Sequence, residues 1–383
     1  MSDRKPHKPR IRLHEYFLYA IATIITLILG VPVIIMKFFS FLIGSLGAPL
    51  KSVKNFFGFL LILLIAGGGL LAFEIFVPYD IGPEIKSVMV AEDESFTRVM
   101  TDLQDENIIK GRYLFKILSI VTKTDKMMAP GRYDFSGKIS LYGIMQKFRR
   151  HDIATAMITI PEGLNIFKTA GIISRNLGVD SAVIVARALD TNYTQSRFGV
   201  DGLEGYIFPE TYRIWYGIQI DEILKMFVDE FNRKTTDLFD NLPENINSKN
   251  DVMALASIIE AEAMYDDEKP VISSVYHNRL KNKMLLQADP TVIYALGGLD
   301  RPLYYRDLKF DSPYNTYMYR GLPPGPINSP GLASIKAALN PDDTEFLYFV
   351  ADLNGRHIFS STLQEHNRAK NRIKREKKEN GAG

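Results

Sequence analysis

The stretch Asp251–Leu280, DVMALASIIEAEAMYDDEKPVISSVYHNRL, decides how the chain is read. Its first half has a helical period: Met253, Ala256, Ile259 and Ala263 recur at three- and four-residue spacing. Helix neighbours lie three and four positions apart, so Glu260 is flanked by Ala256, Ser257, Ala263 and Met264. That side is apolar, with no base one turn away. Glu262 leads instead toward Tyr265 and Asp266, the wetter side. A carboxyl held among small apolar groups has its charged form disfavoured. A general acid working near neutral pH needs that property. A core-helix carboxyl that merely finds a hydrogen-bond partner would leave the same pattern, and the helix alone does not choose between the two.

Outward from this helix, the chain of 383 residues is long enough for two or three domains after any membrane segment is removed. It contains no cysteine, which excludes a disulfide framework, a thiolate metal site and a cysteine nucleophile. The net charge is +2, and no basic footprint for nucleic acid runs through the body of the chain. The six histidines are scattered without metal-binding spacing, and neither a nucleophile elbow nor a glycine-rich phosphate loop occurs. No metal or cofactor is expected. Acids, amides, hydroxyls and many tyrosines remain. Such an inventory suits acid catalysis on a polar polymer such as a glycan, although tyrosine-rich stretches are more often β-structure core.

The N-terminal end is built differently. Residues 1–15 carry five Lys/Arg and read as a basic cytoplasmic tail. Residues 16–77 read as membrane-embedded, with uncharged runs at Tyr16–Met36 and Phe56–Phe73 and a last crossing over about 56–77. Lys51 and Lys54 also favour the cytoplasm, so residues 16–50 are expected to form a hairpin with both ends inside, and the last helix exports everything after Pro78. Residues 84–150 read as a small domain, with Ser95 and Ser140 as N-caps of two amphipathic helices. Thr159–Gly163 reads as a strand entering a turn, Asn165 as a helix cap, and Leu203–Tyr212 as a strand-like aromatic run with two acids. Residues 368–383 hold seven Lys/Arg against two Glu and read as a basic tail that is solvated or disordered.

Together the motifs form an ordered set. TIPEG at 159–163, LEGYIFPETY at 203–212, ASIIEAEA at 256–263 and YHNRL at 276–280 come first. LQADPTVIYAL at 286–296, YNTY at 314–317, GLPPGPI at 321–327 and GRHIFSSTLQEHN at 355–367 follow. In this order, over about residues 84–367, the chain resembles the endolytic murein transglycosylases of the MltG type. Departures are small: Ala288 stands where that family usually has Ser, the loop after Ile327 reads Asn328-Ser329-Pro330-Gly331, and the N-terminal apolar region is longer.

The resemblance implies an α+β protein with an N-terminal transmembrane anchor, a LysM-like subdomain at 84–150 and a mixed α/β catalytic domain at 155–367. It implies that Glu260 is the catalytic acid and then the base, cleaving the MurNAc–GlcNAc bond to leave a 1,6-anhydromuramoyl end and terminating nascent strands. A second carboxylate of the ordinary glycosidase kind is not evident. Gln287, Asp289, Tyr314, Asn315, Thr316 and Glu365 are expected to line the site, with Glu210 and Glu262 as alternative acids. Peptidoglycan strands and the membrane are the implied partners, with peptidoglycan synthases as a further class. The implied location is the cytoplasmic membrane, with the catalytic domain on its outer side. A glycan-binding scaffold without turnover is the rival reading, and a simple hydrolase a third.

Overall fold

In the computed structural model the structure describes residue 41 and residues 53–380. The basic tail at 1–15 and the apolar hairpin expected at 16–50 lie outside the described residues, residue 41 apart. The chain divides into two compact units, residues 1–154 and 155–383, with mixed helix and strand content throughout.

The described part of the first unit includes α1 (Val53–Phe76), whose uncharged run from Asn55 to Phe73 lies between Lys54 and Glu74. Its 24 residues span roughly 36 Å at the helical rise, enough to cross a hydrocarbon core. Among the described residues it is the one helix long and apolar enough to do so. There follow β1 (Tyr79–Asp80), β2 (Lys86–Val90), α2 (Phe96–Asp105), α3 (Arg112–Thr122), β3 (Gly131–Phe135), β4 (Lys138–Ile139) and α4 (Leu141–Arg149). The Ser95 and Ser140 hydroxyls accept the Arg98 and Gly143 amides at 3.3 and 3.0 Å, so both serines cap their helices. β2 and β3 pair antiparallel with Val88 opposite Tyr133. Alternation then turns Val88, Val90, Tyr133 and Phe135 onto Met100, Leu103 and Phe148 as one core.

The second unit contains β5 (Thr155–Thr159), α5 (Ile166–Leu177), α6 (Ser181–Ala188), α7 (Thr191–Phe198), β6 (Thr211–Trp215), α8 (Ile220–Lys234), α9 (Lys249–Glu262) and α10 (Lys269–Lys281). It ends with α11 (Asp289–Ala295), α12 (Leu332–Leu339), β7 (Tyr348–Ala351), β8 (His357–Ser360) and α13 (Leu363–Asn380). β5 pairs with β6 and β7 with β8, both antiparallel. At the centre is α9, where every residue from Val252 to Ile259 is buried. The expected one-sided helix is therefore apolar all round, with α10, α11 and α12 packed against it.

Two expectations are corrected. Leu203–Pro209 is a buried turn-rich segment, and the strand starts only at Thr211. Gly205 has φ +80°, and a Cβ there would lie 2.5 Å from the Pro326 ring, so the chain must bend to let the proline loop approach. The tail expected to be solvated or disordered from 368 continues α13 to Asn380. Its N-terminus is a capping box: Glu365 accepts the Thr362 amide at 3.2 Å, and the Thr362 hydroxyl accepts the Glu365 amide at 3.3 Å. Ala369 is buried beneath it.

Candidate active site

Glu260 lies in the last turn of α9, and tertiary contacts give its carboxylate a polar setting. Oε2 accepts the Ser334 hydroxyl at 2.6 Å, the Gly331 amide at 3.1 Å and the Lys269 ammonium at 3.3 Å. Gly331 is the N-cap of α12 and has no side chain to cap with; Glu260, from a neighbouring helix, accepts the amide of this N-cap residue and the Ser334 hydroxyl of the first turn. The positive end of α12 favours a carboxylate there. Of the neighbours expected from helix spacing, Ala256 and Ser257 are buried while Met264 is exposed, and the carboxylate, one-tenth exposed, emerges beside the start of α12. Lys269 comes from the first turn of α10, nine residues along, beyond any helix-spacing rule. Burial pulls its ammonium down, but the bond to Asp266 and the Glu260 charge outweigh this and leave it raised.

Ser257, one turn before Glu260, anchors the proline-rich loop. Its hydroxyl accepts the Ile327 amide at 3.0 Å, and its carbonyl accepts Asn328 Nδ2 at 2.8 Å. The Thr159–Gly163 turn is joined to the same loop by reciprocal backbone bonds, Gly163 N to Ser329 O and Ser329 N to Leu164 O, each 2.9 Å. Glu162 is thereby brought to Gly331, where a Cβ would lie 2.1 Å from its carboxylate. Burial and the Glu260 charge push the Glu162 carboxyl up. Residue-by-residue reading missed Glu162, Lys269 and Ser334. Glu162 was legible only as part of a quoted motif, and the other two only through tertiary contact.

The alternative acids behave differently from expectation. Glu262, placed by spacing on the wetter side, is part-buried in the wall of a pocket. Its carboxyl accepts the Tyr276 hydroxyl at 3.2 Å, and burial pushes it up to about 7. Glu210 accepts Lys234 at 2.7 Å, and that bond holds it below the usual carboxylate range, which suits a surface ion pair better than an acid.

The remaining site candidates divide. Gln287 and Asp289 are exposed and line a pocket of about 1080 Å³ with Glu262, Arg279, Tyr304 and Tyr317. Glu260 is not among its walls, so this pocket lies beside the Glu260 cluster and not around it. Asp289 accepts the Tyr317 hydroxyl at 2.5 Å, and Gln287 holds a left-handed backbone at φ +52°, strained for a non-glycine residue. Asn315 and Thr316 do not present free side chains as expected. Asn315 is buried and donates to the Leu308 and Phe310 carbonyls, and the buried Thr316 hydroxyl accepts the Ala288 amide at 3.0 Å. Thr316 thereby shapes the pocket through Gln287 and Ala288. Tyr314 is half-buried with its ring 5.0 Å from Tyr294, away from the carboxylate contacts of Glu260. Glu365 is exposed, and its carboxylate accepts the Thr362 amide in the capping box of α13. Among the described residues no cluster of His, Cys, Asp and Glu could hold a metal.

The chain is similar to several known proteins. A family model described as the YceG-like family matches residues 88–372. A protein of Bacillus subtilis (strain 168) named endolytic murein transglycosylase is 33% identical over 301 residues, which cover 74% of this chain and 83% of that one. A Streptococcus pneumoniae protein of the same name is 24% identical over 315 residues, 74% of this chain and 57% of its own length. The 2.6 Å crystal structure of a yceG-like protein from Listeria monocytogenes superposes with a TM-score of 0.53 at 31% identity, covering 75% of this chain and all of the other. A match spanning both units and every quoted motif leaves one conclusion: the chain belongs to the YceG-like family.

Proposed function

We propose that the protein is a lytic transglycosylase that cuts peptidoglycan strands internally, at the MurNAc–GlcNAc bond, and leaves a 1,6-anhydromuramoyl end. The observation that carries this is Glu260: a single carboxyl held by three donors at the head of α12, in a chain 33% identical to a relative named endolytic murein transglycosylase. In its protonated form Glu260 gives its proton to the glycosidic oxygen as the bond to the anomeric carbon breaks. The carboxylate so formed is stabilised by Lys269, Ser334 and the Gly331 amide. It then takes the proton of the muramoyl 6-hydroxyl as that oxygen closes on the anomeric carbon. Holding the hydroxyl on the substrate itself makes the second step intramolecular.

The neighbouring pocket, with Gln287 and Asp289 on its rim and Tyr304 and Tyr317 in its wall, takes the sugars flanking the cleaved bond. Aromatic faces and amide donors suit a glycan. α1 anchors the protein in the cytoplasmic membrane, with the second unit on the outer side, where it ends nascent strands beside peptidoglycan synthases. The strand–helix–helix–strand unit β2–α2–α3–β3 is a LysM-like glycan-binding module.

A digest of purified peptidoglycan with the full-length protein, wild type beside Glu260→Gln, tests the reading by mass spectrometry of the products. Anhydromuramoyl ends from the wild type, lost in the variant, support it. Reducing ends would make the protein a hydrolase, and binding without cleavage a scaffold.

A further inference from the structure

Two carboxylates converge on one glycine. Glu260 accepts the amide of Gly331, and the Glu162 carboxylate lies against the Cα of the same residue, where a Cβ would come within 2.1–2.4 Å of its carboxyl atoms. A Cβ on Gly163, the residue after Glu162, would lie 3.8 Å from Glu260 Cγ. The two glutamates therefore share one corner of the site. Their situations differ: Glu260 has three donors on a single oxygen, while none of the described residues donates a hydrogen bond to the Glu162 carboxylate. The turn that carries Glu162 is held by two backbone bonds to the loop before α12, so its approach to Glu260 is built into the fold.

This arrangement bears on the proposed reaction, because the proton for the leaving oxygen must come from Glu260, whose Oε2 accepts all three donors. We infer that Glu162 is a positioning residue for the proton: its negative charge opposes a second charge on Glu260, so that the pair keeps one proton ready for the leaving oxygen. The inference rests on the proposed function and deepens it. Two carboxylates that meet at one glycine repel each other as anions, and the proton belongs to the pair. Burial, the Glu260 charge and Asp266 all push the Glu162 carboxyl up, and Lys269 works against them. The charged groups facing the pair are thus Lys269 from α10 and Asp266 from the turn before it. α12 and its preceding loop offer the Ser334 hydroxyl and the Gly331 amide.

The test is the pH profile of strand cleavage by the full-length protein as wild type, Glu162→Gln and Gly331→Ala. The second variant keeps the carboxylate and displaces it. Both are expected to move the alkaline limb down by about one pH unit, with a loss of about tenfold near pH 7.5 that shrinks toward about pH 5. A loss equal at every pH, or an unmoved limb in both variants, overturns the inference. A second readout needs no substrate: carboxyl carbon-13 NMR of Glu162 in wild type and Glu260→Gln. The Glu162 midpoint is expected to fall when Glu260 is neutralised, and an unchanged midpoint overturns the pairing. If the midpoint falls while the wild type cleaves nothing, the pairing stands and the proposed function is what fails.

Discussion

At Glu260 one oxygen carries three hydrogen bonds, and the identity of each donor determines what its loss should do. Ser334→Ala removes a short bond to a group that becomes charged during the reaction. Hydrogen bonds to charged groups contribute about 1.5–3 kcal/mol, so kcat should fall by at least about tenfold with KM little changed. Steady-state kinetics on isolated strands would show the split, and an equal rise in KM would make Ser334 a substrate ligand. Lys269 has a side chain only 4% exposed and pairs with both Glu260 and Asp266. Lys269→Met should therefore cost stability as well as activity, by about 1–3 kcal/mol in urea unfolding. At this scale Glu260 was legible in the sequence as an acid on a central helix, but its partners were not. Helix spacing reaches four residues, and Lys269, Gly331 and Ser334 lie nine, 71 and 74 away. The same limit hid the setting of Glu262, which lies in a pocket wall and is bonded by Tyr276 on α10.

Among the elements, the caps and turns followed from local chemistry. Ser95, Ser140 and Asn165 cap the helices that their side chains predict, because each bond closes within three residues. The segment YHNRL illustrates the opposite case. His277 bonds Asn245 and the Ala338 carbonyl, Asn278 donates to the Thr344 and Phe346 carbonyls, and Arg279 to those of Leu286 and Leu347. Its polar side chains hold α10 to loops far along the chain, a structural role that a motif does not reveal. Gly205 and the proline loop give the prediction for this scale. Gly205→Ala forces a left-handed backbone on alanine and drives a methyl into Pro326, so unfolding free energy should drop by about 2–4 kcal/mol. A drop below about 0.5 kcal/mol would mean that the loop moves aside freely.

For the whole molecule, buried ionisable groups set how stability depends on pH. Burial pushes the Glu204 and Glu262 carboxyls up to about 7. A folded value above the unfolded one gives stability that is fully present below the unfolded value, 4.5, and is lost as pH rises through about 7. Glu262→Gln keeps an acceptor for the Tyr276 hydroxyl and removes that loss, so Tm should rise by about 4 °C near pH 8 and hardly change near pH 4. Calorimetry at the two pH values checks it, and an equal change at both would show that the effect is packing. Burial lowers the His277 imidazole from 6.5, so its stability is full above that value and is lost as pH falls toward the lowered one.

By itself the sequence determined the α+β class, an apolar helix near the N-terminus, the central helix with its acid, the helix caps and the family, since these rest on short-range periodicity, local hydrogen bonds and the order of motifs. Only the tertiary structure decided which carboxyl lines a pocket and which is held by donors. It also brought Glu162 to Glu260, turned Asn315 and Thr316 inward as braces, made Glu365 part of an exposed helix cap, and carried the basic tail on as helix. Those outcomes depend on which atoms approach across long stretches of chain. Burial and charge at a site are sums over such neighbours, and no spacing along the chain records them.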